Sequence, residues 1–313
     1  MSHDITTIRK TKGDLYMTQV TTIDTNNYNV MAQAMGMSAD ASPQATKAST
    51  LARLRINHSP IMGEQDMNGK KVKLEVVSGG TYKLEVPDGD TYYAESVRIR
   101  PFLQRFMHKK FVKGTDHTPN RYIKTVMVND LNGDMKDNDG GFNCGKPAGF
   151  IKDWAALPDS MKDLIRSIKR VRALFGTVEL INATDAEGNS VDVEPTAFVW
   201  EIDNRDAFKI VGKVFADLSK MRRLPPQHSV TLTSNEVPLP NGNSFYVPVT
   251  ALDLTTTLEM DNDAQEVFGN FVAWIENYNT YILNSWNENM HKNEEVDTDT
   301  VEAFVDISEE DFV

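Results

Sequence analysis

One cysteine, Cys144, stands in 313 residues. That excludes an internal disulfide and any zinc cage built from cysteines alone, and it suits a reducing compartment. Long apolar runs are absent too. None approaches the roughly 18 to 20 residues of a membrane helix, and the opening "MSHDITTIRKTKGD" lacks the apolar stretch of a signal peptide. The expectation is a cytoplasmic protein with no membrane contact. Catalytic signatures are also missing: there is no phosphate-binding Gly-x-x-x-x-Gly-Lys-[Ser/Thr], no His-Glu-x-x-His and no Gly-x-Ser-x-Gly. "NCGKPAG" puts Lys146 beside glycine but lacks the preceding glycine spacing and the following hydroxyl. Asp130, Asp134, Asp137 and Asp139 imitate a calcium loop, yet Gly141 stands where the closing glutamate belongs, so they read as solvated turn acids. His108, His117 and Cys144 are too scattered for a closed tetrahedral zinc site. No enzyme, metal or cofactor is expected.

What the chain does have is enough apolar residue, 40%, to bury one large core or two modest ones, and a segregated charge. The net charge of −12 argues on average against an anionic partner. Between Arg98 and Lys124, however, eight basic residues face a single acid, Asp116, and between Lys162 and Arg172 five face only Asp163. From Glu294 to Val313 there are nine acids and no Lys or Arg. A positive centre with a negative terminus is the pattern of a protein that holds an anionic polymer in its body.

Residues 1–50 are rich in Met, Ala, Ser and Thr without periodicity and read as a flexible arm. In "KVKLEVVSGGTYKLEV", apolar residues alternate on either side of Ser78-Gly79-Gly80, which predicts a hairpin with one buried face. "TYYAESVRIR" and "NRYIKTVMV" read as strands, and the Asp-, Asn- and Gly-rich stretch from Val128 to Ile151 as a surface loop. "LPDSMKDLIRSIKR" is a helix candidate capped by Asp159 or Ser160, followed by the strand "VRALFGTVELI". "TAFVWEI" is a strand, and Asp203 or Asn204 can cap the amphipathic helix that follows, with Phe208, Val211, Val214, Phe215 and Leu218 at helical spacing. The fold class expected is mainly β with α, an α+β arrangement: a small antiparallel barrel of the oligonucleotide-binding (OB) type, elaborated by inserts, over 51–260. An aromatic C-terminal helix over 261–292 and a disordered acidic tail over 293–313 complete the chain.

Single strands are held by basic grooves that track phosphates and by aromatic faces on which bases stack. Both ingredients interleave here. Arg105, Lys109, Lys110, Arg121, Lys124, Arg166, Lys169, Arg170 and Arg172 are the candidate phosphate contacts, with Arg166, Lys169 and Arg170 on one helical face. Tyr92, Tyr93 and Tyr122 are the candidate stacking platforms, since their polar ends favour half exposure.

The order of these features resembles the single-stranded-DNA-binding, helix-destabilising protein family of T-even-type bacteriophages. "NRYIKTVMVNDLNGDMKDNDGGFNCGKPAGFIKD" is similar to that family's strand and cysteine-bearing loop, and "DLIRSIKRVRALFGTVELINATD" to its basic segment leading into a core strand. "TAFVWEIDNRDAFKIVGKVF" resembles its strand-then-helix step, and "IRKTKG" or "TKAST" its basic, hydroxyl-rich N-terminal cooperativity motif. That family holds zinc with three cysteines and a histidine, whereas this loop keeps Cys144 alone, so zinc is not implied. The resemblance implies a viral protein that coats single-stranded DNA without sequence specificity in replication, recombination and repair, with self-association. It also implies recruitment of replication or recombination proteins. The charge of the tail itself leads to the expectation that Asp306, Glu309, Glu310 and Asp311 occupy the basic groove when DNA is absent and, with Phe312 and Val313, form the partner-binding end when DNA displaces them. The contrasting expectation is a structural or assembly protein whose aromatic C-terminal helix is its interface.

Overall fold

The computed structural model describes residues 51–305, apart from 68–69, 88, 116–117, 148–150, 240–241 and 243. The N-terminal arm and residues 306–313, including Asp306, Glu309, Glu310, Asp311, Phe312 and Val313, lie outside the described residues.

The strands in chain order are β1 (Ala52–Ile56), β2 (Ile61–Met67), β3 (Lys70–Val77), β4 (Tyr82–Glu85), β5 (Thr91–Ala94), β6 (Ser96–Val112), β7 (Arg121–Lys124), β8 (Ile168–Ile181), β9 (Thr196–Ile202), β10 (Val230–Pro238) and β11 (Ser244–Leu252). Among the described residues three α-helices join them: α1 (Asp159–Ser167), α2 (Arg205–Lys220) and α3 (Asn262–Val305). The long antiparallel pair β6–β8 is the spine of a mixed sheet ordered β11-β10-β6-β8-β9-β1-β4-β5. A single edge of β6 serves two partners, β10 along residues 97–99 and β7 along 109–112. The spine's register shifts between Pro101 and Leu103, where proline has no N–H to give the ladder. Across from it, a Cβ on Gly176 would lie 2.3 Å from the Arg100 carbonyl oxygen, so only glycine allows that approach.

The expected antiparallel barrel is not what forms. β1 pairs with β9 in parallel, and the sheet does not close: β11 and β5 remain the ends of its hydrogen-bonded order. Side chains bridge the curled ends instead. The Tyr82 hydroxyl donates to the Thr233 carbonyl at 3.0 Å, and the Ser234 hydroxyl to that of Gly80 at 2.6 Å. The hairpin expected across Ser78-Gly79-Gly80 is also different. β3 pairs with β2 in a separate two-stranded sheet, while β4 pairs with β1 and β5. Gly80 adopts a φ of 86°, and the chain leaving it is captured by Asn57, whose carbonyl accepts from Gly80 N–H and whose N–H donates to Thr81. The buried face of Tyr82 and Leu84 then meets the alternating Ala52, Leu54 and Ile56 of β1.

Leu174 and Phe175 of β8 point to opposite faces, and each face has its own helix. On one, Leu54, Tyr82, Leu174, Phe198 and Trp200 join Ala207, Val211, Val214 and Leu218 of α2. That helix is capped by Asn204, whose side chain accepts from the N–H groups of Asp206 and Ala207. On the other, Phe271 of α3 sits with its ring 5.6 Å from Phe102 and 5.9 Å from Phe175. Farther along α3, the Asn279 side chain bonds both backbone groups of Met127, the Tyr278 hydroxyl donates to Thr125, and the Trp286 indole N–H donates to Gly141. The helix thereby pins the whole 125–142 segment to the sheet. It continues to Val305, so residues 293–305, expected in a disordered tail, fall within its span.

In that segment Asp137 is buried rather than solvated. Its carboxylate accepts from the N–H groups of Asp139, Gly141 and Cys144, each at 3.0 Å, supplying partners that the turn's backbone lacks. Cys144 is buried beside it, and burial, with Asp137 adding to it, pushes its thiol up to about 12. Among the described residues no group of three or more His, Cys, Asp and Glu is placed to hold a metal ion. None of their helices is long and apolar enough to cross a membrane.

Candidate functional site

Strand alternation decides what the last third of β6 presents. Lys109 and Phe111 share one face of the sheet, and Lys110 points to the other. Register sets Lys124 of β7 directly opposite Lys109, Tyr122 opposite Phe111, and Lys169 of β8 opposite Lys109 on its other side. The result is a row of three lysines, Lys124, Lys109 and Lys169, across adjacent strands. Next to it the Phe111 and Tyr122 rings stand 5.2 Å apart, 48% and 51% exposed. The Lys109 ammonium lies 5.6 Å from the centre of the Tyr122 ring.

Like charges set side by side on a sheet repel, and two carboxylates offset this. Glu201 reaches Lys124 at 3.0 Å and Lys109 at 3.4 Å, and Asp203 reaches Lys109 at 2.9 Å. Burial alone would raise the Glu201 carboxyl, but Lys124 and Lys109 together hold it below its ordinary value. Burial likewise works against the Lys109 ammonium, and Glu201 and Asp203 outweigh it, raising its pKa.

These groups line a cleft of about 470 Å³. Its other wall comes from β1, whose pairing with β9 is recorded only at Ala52–Phe198 and Arg53–Val199, so the two strands run on with the cleft between them. In "LARLRI" the buried Ala52, Leu54 and Ile56 alternate with exposed Arg53 and Arg55, and both arginines line the cleft. Arg55 also pairs with Glu85 at 2.7 Å. At the rim, the His58 ring stacks on Tyr246 at 6.4 Å, and His58 Nδ1 accepts from the Tyr246 backbone N–H. Burial lowers the His58 pKa, with Asp203 acting in the opposite direction.

Of the residues singled out in the sequence, the structure brings Lys109, Lys124 and Tyr122 together in this cleft, with Lys169 next in the lysine row. Arg121 is exposed on β7 and paired with Asp139. Lys110 lies on the opposite face, close enough to Cys144 to act on its thiol. The expected helical face of Arg166, Lys169 and Arg170 divides, because α1 ends at Ser167 and the last two are exposed at the start of β8. Pro158, with no side-chain bond, rather than Asp159 or Ser160, occupies the position before that helix. Arg166 stays on α1, paired with Asp163 and 5.9 Å from the ring of exposed Trp154.

Four candidates are wholly or partly buried. Arg172, only 7% exposed, donates to the Phe208 carbonyl and the Gln104 side chain, and its guanidinium lies 4.9 and 4.4 Å from the rings of Phe106 and Phe208. Burial lowers its pKa to about 10, and Arg105 is lowered to about 10 for the same reason. Tyr93 is 5% exposed and Tyr92 packs on the core, both on the edge strand β5 and neither lining the cleft. The cleft residues that sequence reasoning missed include Arg53, Arg55, Glu201, His58 and Tyr246, and Asp203 reads in the sequence only as a helix cap. The signal for the first two is present in the apolar-basic alternation of "LARLRI"; His58 and Tyr246, 188 positions apart, leave no local trace. No family model, curated protein or solved structure matches this chain.

Proposed function

We propose that the chain binds single-stranded DNA in this cleft with little sequence dependence. The observation that carries the reading is the lysine row Lys124–Lys109–Lys169 beside the half-exposed Phe111–Tyr122 pair. Ammonium groups in series suit successive phosphates, and exposed rings beside them suit unpaired bases, whose faces a duplex hides. Arg53 and Arg55 extend the positive surface on the other wall, while Tyr246 and His58 offer rings at the rim. No group in this arrangement needs to read base edges, which fits binding without sequence preference.

The order of sequence features that resembles the helix-destabilising family of T-even-type phages leads to the same proposal. On that reading the curled sheet departs from the OB-type barrel, and the strand lies in the cleft that begins where the β1–β9 pairing ends. The protein then serves DNA replication, recombination and repair in the cytoplasm of an infected cell, and its acidic terminus recruits partner proteins. The contrasting role, assembly through the aromatic C-terminal helix, finds less support. Phe268, Phe271, Ile275, Ile282 and Trp286 are buried against the chain's own body, leaving Tyr281 and Leu283 as the exposed large residues of that helix among the described side chains.

The test is a fluorescence titration with a labelled oligothymidylate and with its duplex form at several salt concentrations. Tighter binding of the single strand, with log K falling linearly in log salt, is the expected result. Equal affinity for both forms, or no salt response, would overturn the reading.

A further inference from the structure

We infer that Glu201 and Asp203 are specificity-determining residues of the cleft: they occupy the positions of two phosphates of a bound strand and restrict the site to phosphates delivered as a polymer. The inference rests on the single-strand reading above and concerns how that site selects its ligand.

The geometry is that of an anion site already filled from within. Glu201 shares its two oxygens between Lys124 and Lys109 at 3.0 and 3.4 Å, as the two free oxygens of a phosphodiester can. Asp203 holds Lys109 from a second direction at 2.9 Å. The Lys109 side chain is only 15% exposed, so leaving its ammonium without an anion would be costly. Both carboxylates are tethered to β9 and the turn that follows it, so their effective concentration at the lysines is fixed by the fold and far exceeds that of an ordinary free anion.

Selection follows from that competition. A mononucleotide or inorganic phosphate can contact Lys109 and Lys124 only by displacing carboxylates that return at once. A strand brings further phosphates to Arg53, Arg55 and Lys169, which hold no partner in this carboxylate cluster, and those added contacts drive the exchange. The lining as a whole stays positive, since Arg53, Arg55, Lys109 and Lys124 are set against Glu201 and Asp203. A purely structural role for the two acids would fix the strands but would not make affinity and competitor choice depend on their charge.

The experiment compares wild type, Asp203→Asn and Glu201→Gln, each first checked by thermal melting. Binding of fluorescein-labelled oligothymidylate is measured at low salt, alone and against thymidine monophosphate or inorganic phosphate. Wild type is expected to keep its oligonucleotide in the presence of either competitor. Asp203→Asn should bind the oligonucleotide about two- to fivefold more tightly, the scale of one partly exposed ion pair, and should become displaceable by both monophosphates. Glu201→Gln should show a larger change, because it frees both lysines. Asp203 is nearly half exposed, so its variant decides the matter if Glu201→Gln melts early. Wild-type binding with no gain and no new competition in Asp203→Asn would overturn this inference alone. No binding by any of the three proteins would overturn the single-strand reading with it.

Discussion

Lys109 and Lys124 stand directly opposite each other on paired strands and grip one carboxylate, that of Glu201, at 3.4 and 3.0 Å. Two cations brought together by strand register would repel; the acid on β9 makes their proximity stable, and an incoming anion must take over its place.

Arg53 is an exposed β1 side chain on the wall facing those lysines. Arg53→Ala is expected to leave thermal stability nearly unchanged and to make the slope of log K against log salt shallower by about 0.7, the value of one phosphate contact on a single strand. Replacing Arg53 and Lys169 together should double the change. Titrations over a salt series check this, and an unaltered slope would put the strand elsewhere.

Tyr122 is half exposed beside Phe111, so its ring is available without unfolding anything. Tyr122→Ala should weaken oligothymidylate binding by about 1–3 kcal/mol through a lost stacked base while leaving the salt slope as it was. Tyr122→Phe should retain most of the affinity. A changed slope with unchanged affinity would mean that the ring contacts no base.

Arg172 is a cation of the fold, unlike the exposed cations proposed to meet the strand. Sandwiched between Phe106 and Phe208 and bonded to Gln104 and the Phe208 carbonyl, it fills space as well as carrying charge. Arg172→Ala should cost roughly 2–4 kcal/mol of stability, the range for emptying a well-packed buried site. Its folded fraction should bind DNA like wild type. Urea denaturation and binding at low temperature would reveal the opposite pattern, an intact fold with weakened binding, if Arg172 reached phosphate instead.

His108 is buried with both ring nitrogens lacking a hydrogen-bond partner, and burial, aided by Lys146 and Arg170, lowers its pKa from 6.5 to about 4. The folded protein therefore resists the proton that the unfolded chain accepts. As pH falls from about 6.5 towards 4, stability is lost on this account, and above 6.5 the contribution is fully present. His108→Leu removes both the titration and the unsatisfied nitrogens, so it should flatten the stability profile between pH 6.5 and 4 and be neutral or stabilising at pH 7. Urea melts at pH 7 and pH 5 decide it; an unchanged difference between the two would assign the acid sensitivity to other groups.

Local pattern alone makes several elements legible. The spacing of Val211, Val214 and Leu218 marks the buried stripe of α2, and Asn204 is one of the two caps that the sequence offers it. "TAFVWEI" reads as the strand it forms, the aromatic run from Asp261 marks the long α3, and the basic and aromatic residues between 98 and 124 include Lys109, Lys124 and Tyr122, which the fold gathers in the cleft, as well as Arg105, Lys110 and Arg121, which it does not. Each of these rests on periodicity within a few turns or a few strand residues, where side-chain direction follows from backbone geometry alone.

Other features have no local signature. That β1 joins β9 in parallel, across nearly half the chain, depends on which buried edges fit together after both strands exist. The same holds for β3, whose alternation fits a hairpin with β4 as well as it fits the observed pairing with β2; Asn57 captures the chain at Gly80 and settles the choice. Arg172 and Lys169 look alike in a charge count, yet a step of three residues on β8 puts one under α2 and the other in the lysine row. Composition and alternation determine which side chains seek water and which avoid it. Only tertiary packing decides which charges come to share one cleft, because that depends on contacts between segments whose sequences carry no information about each other's position.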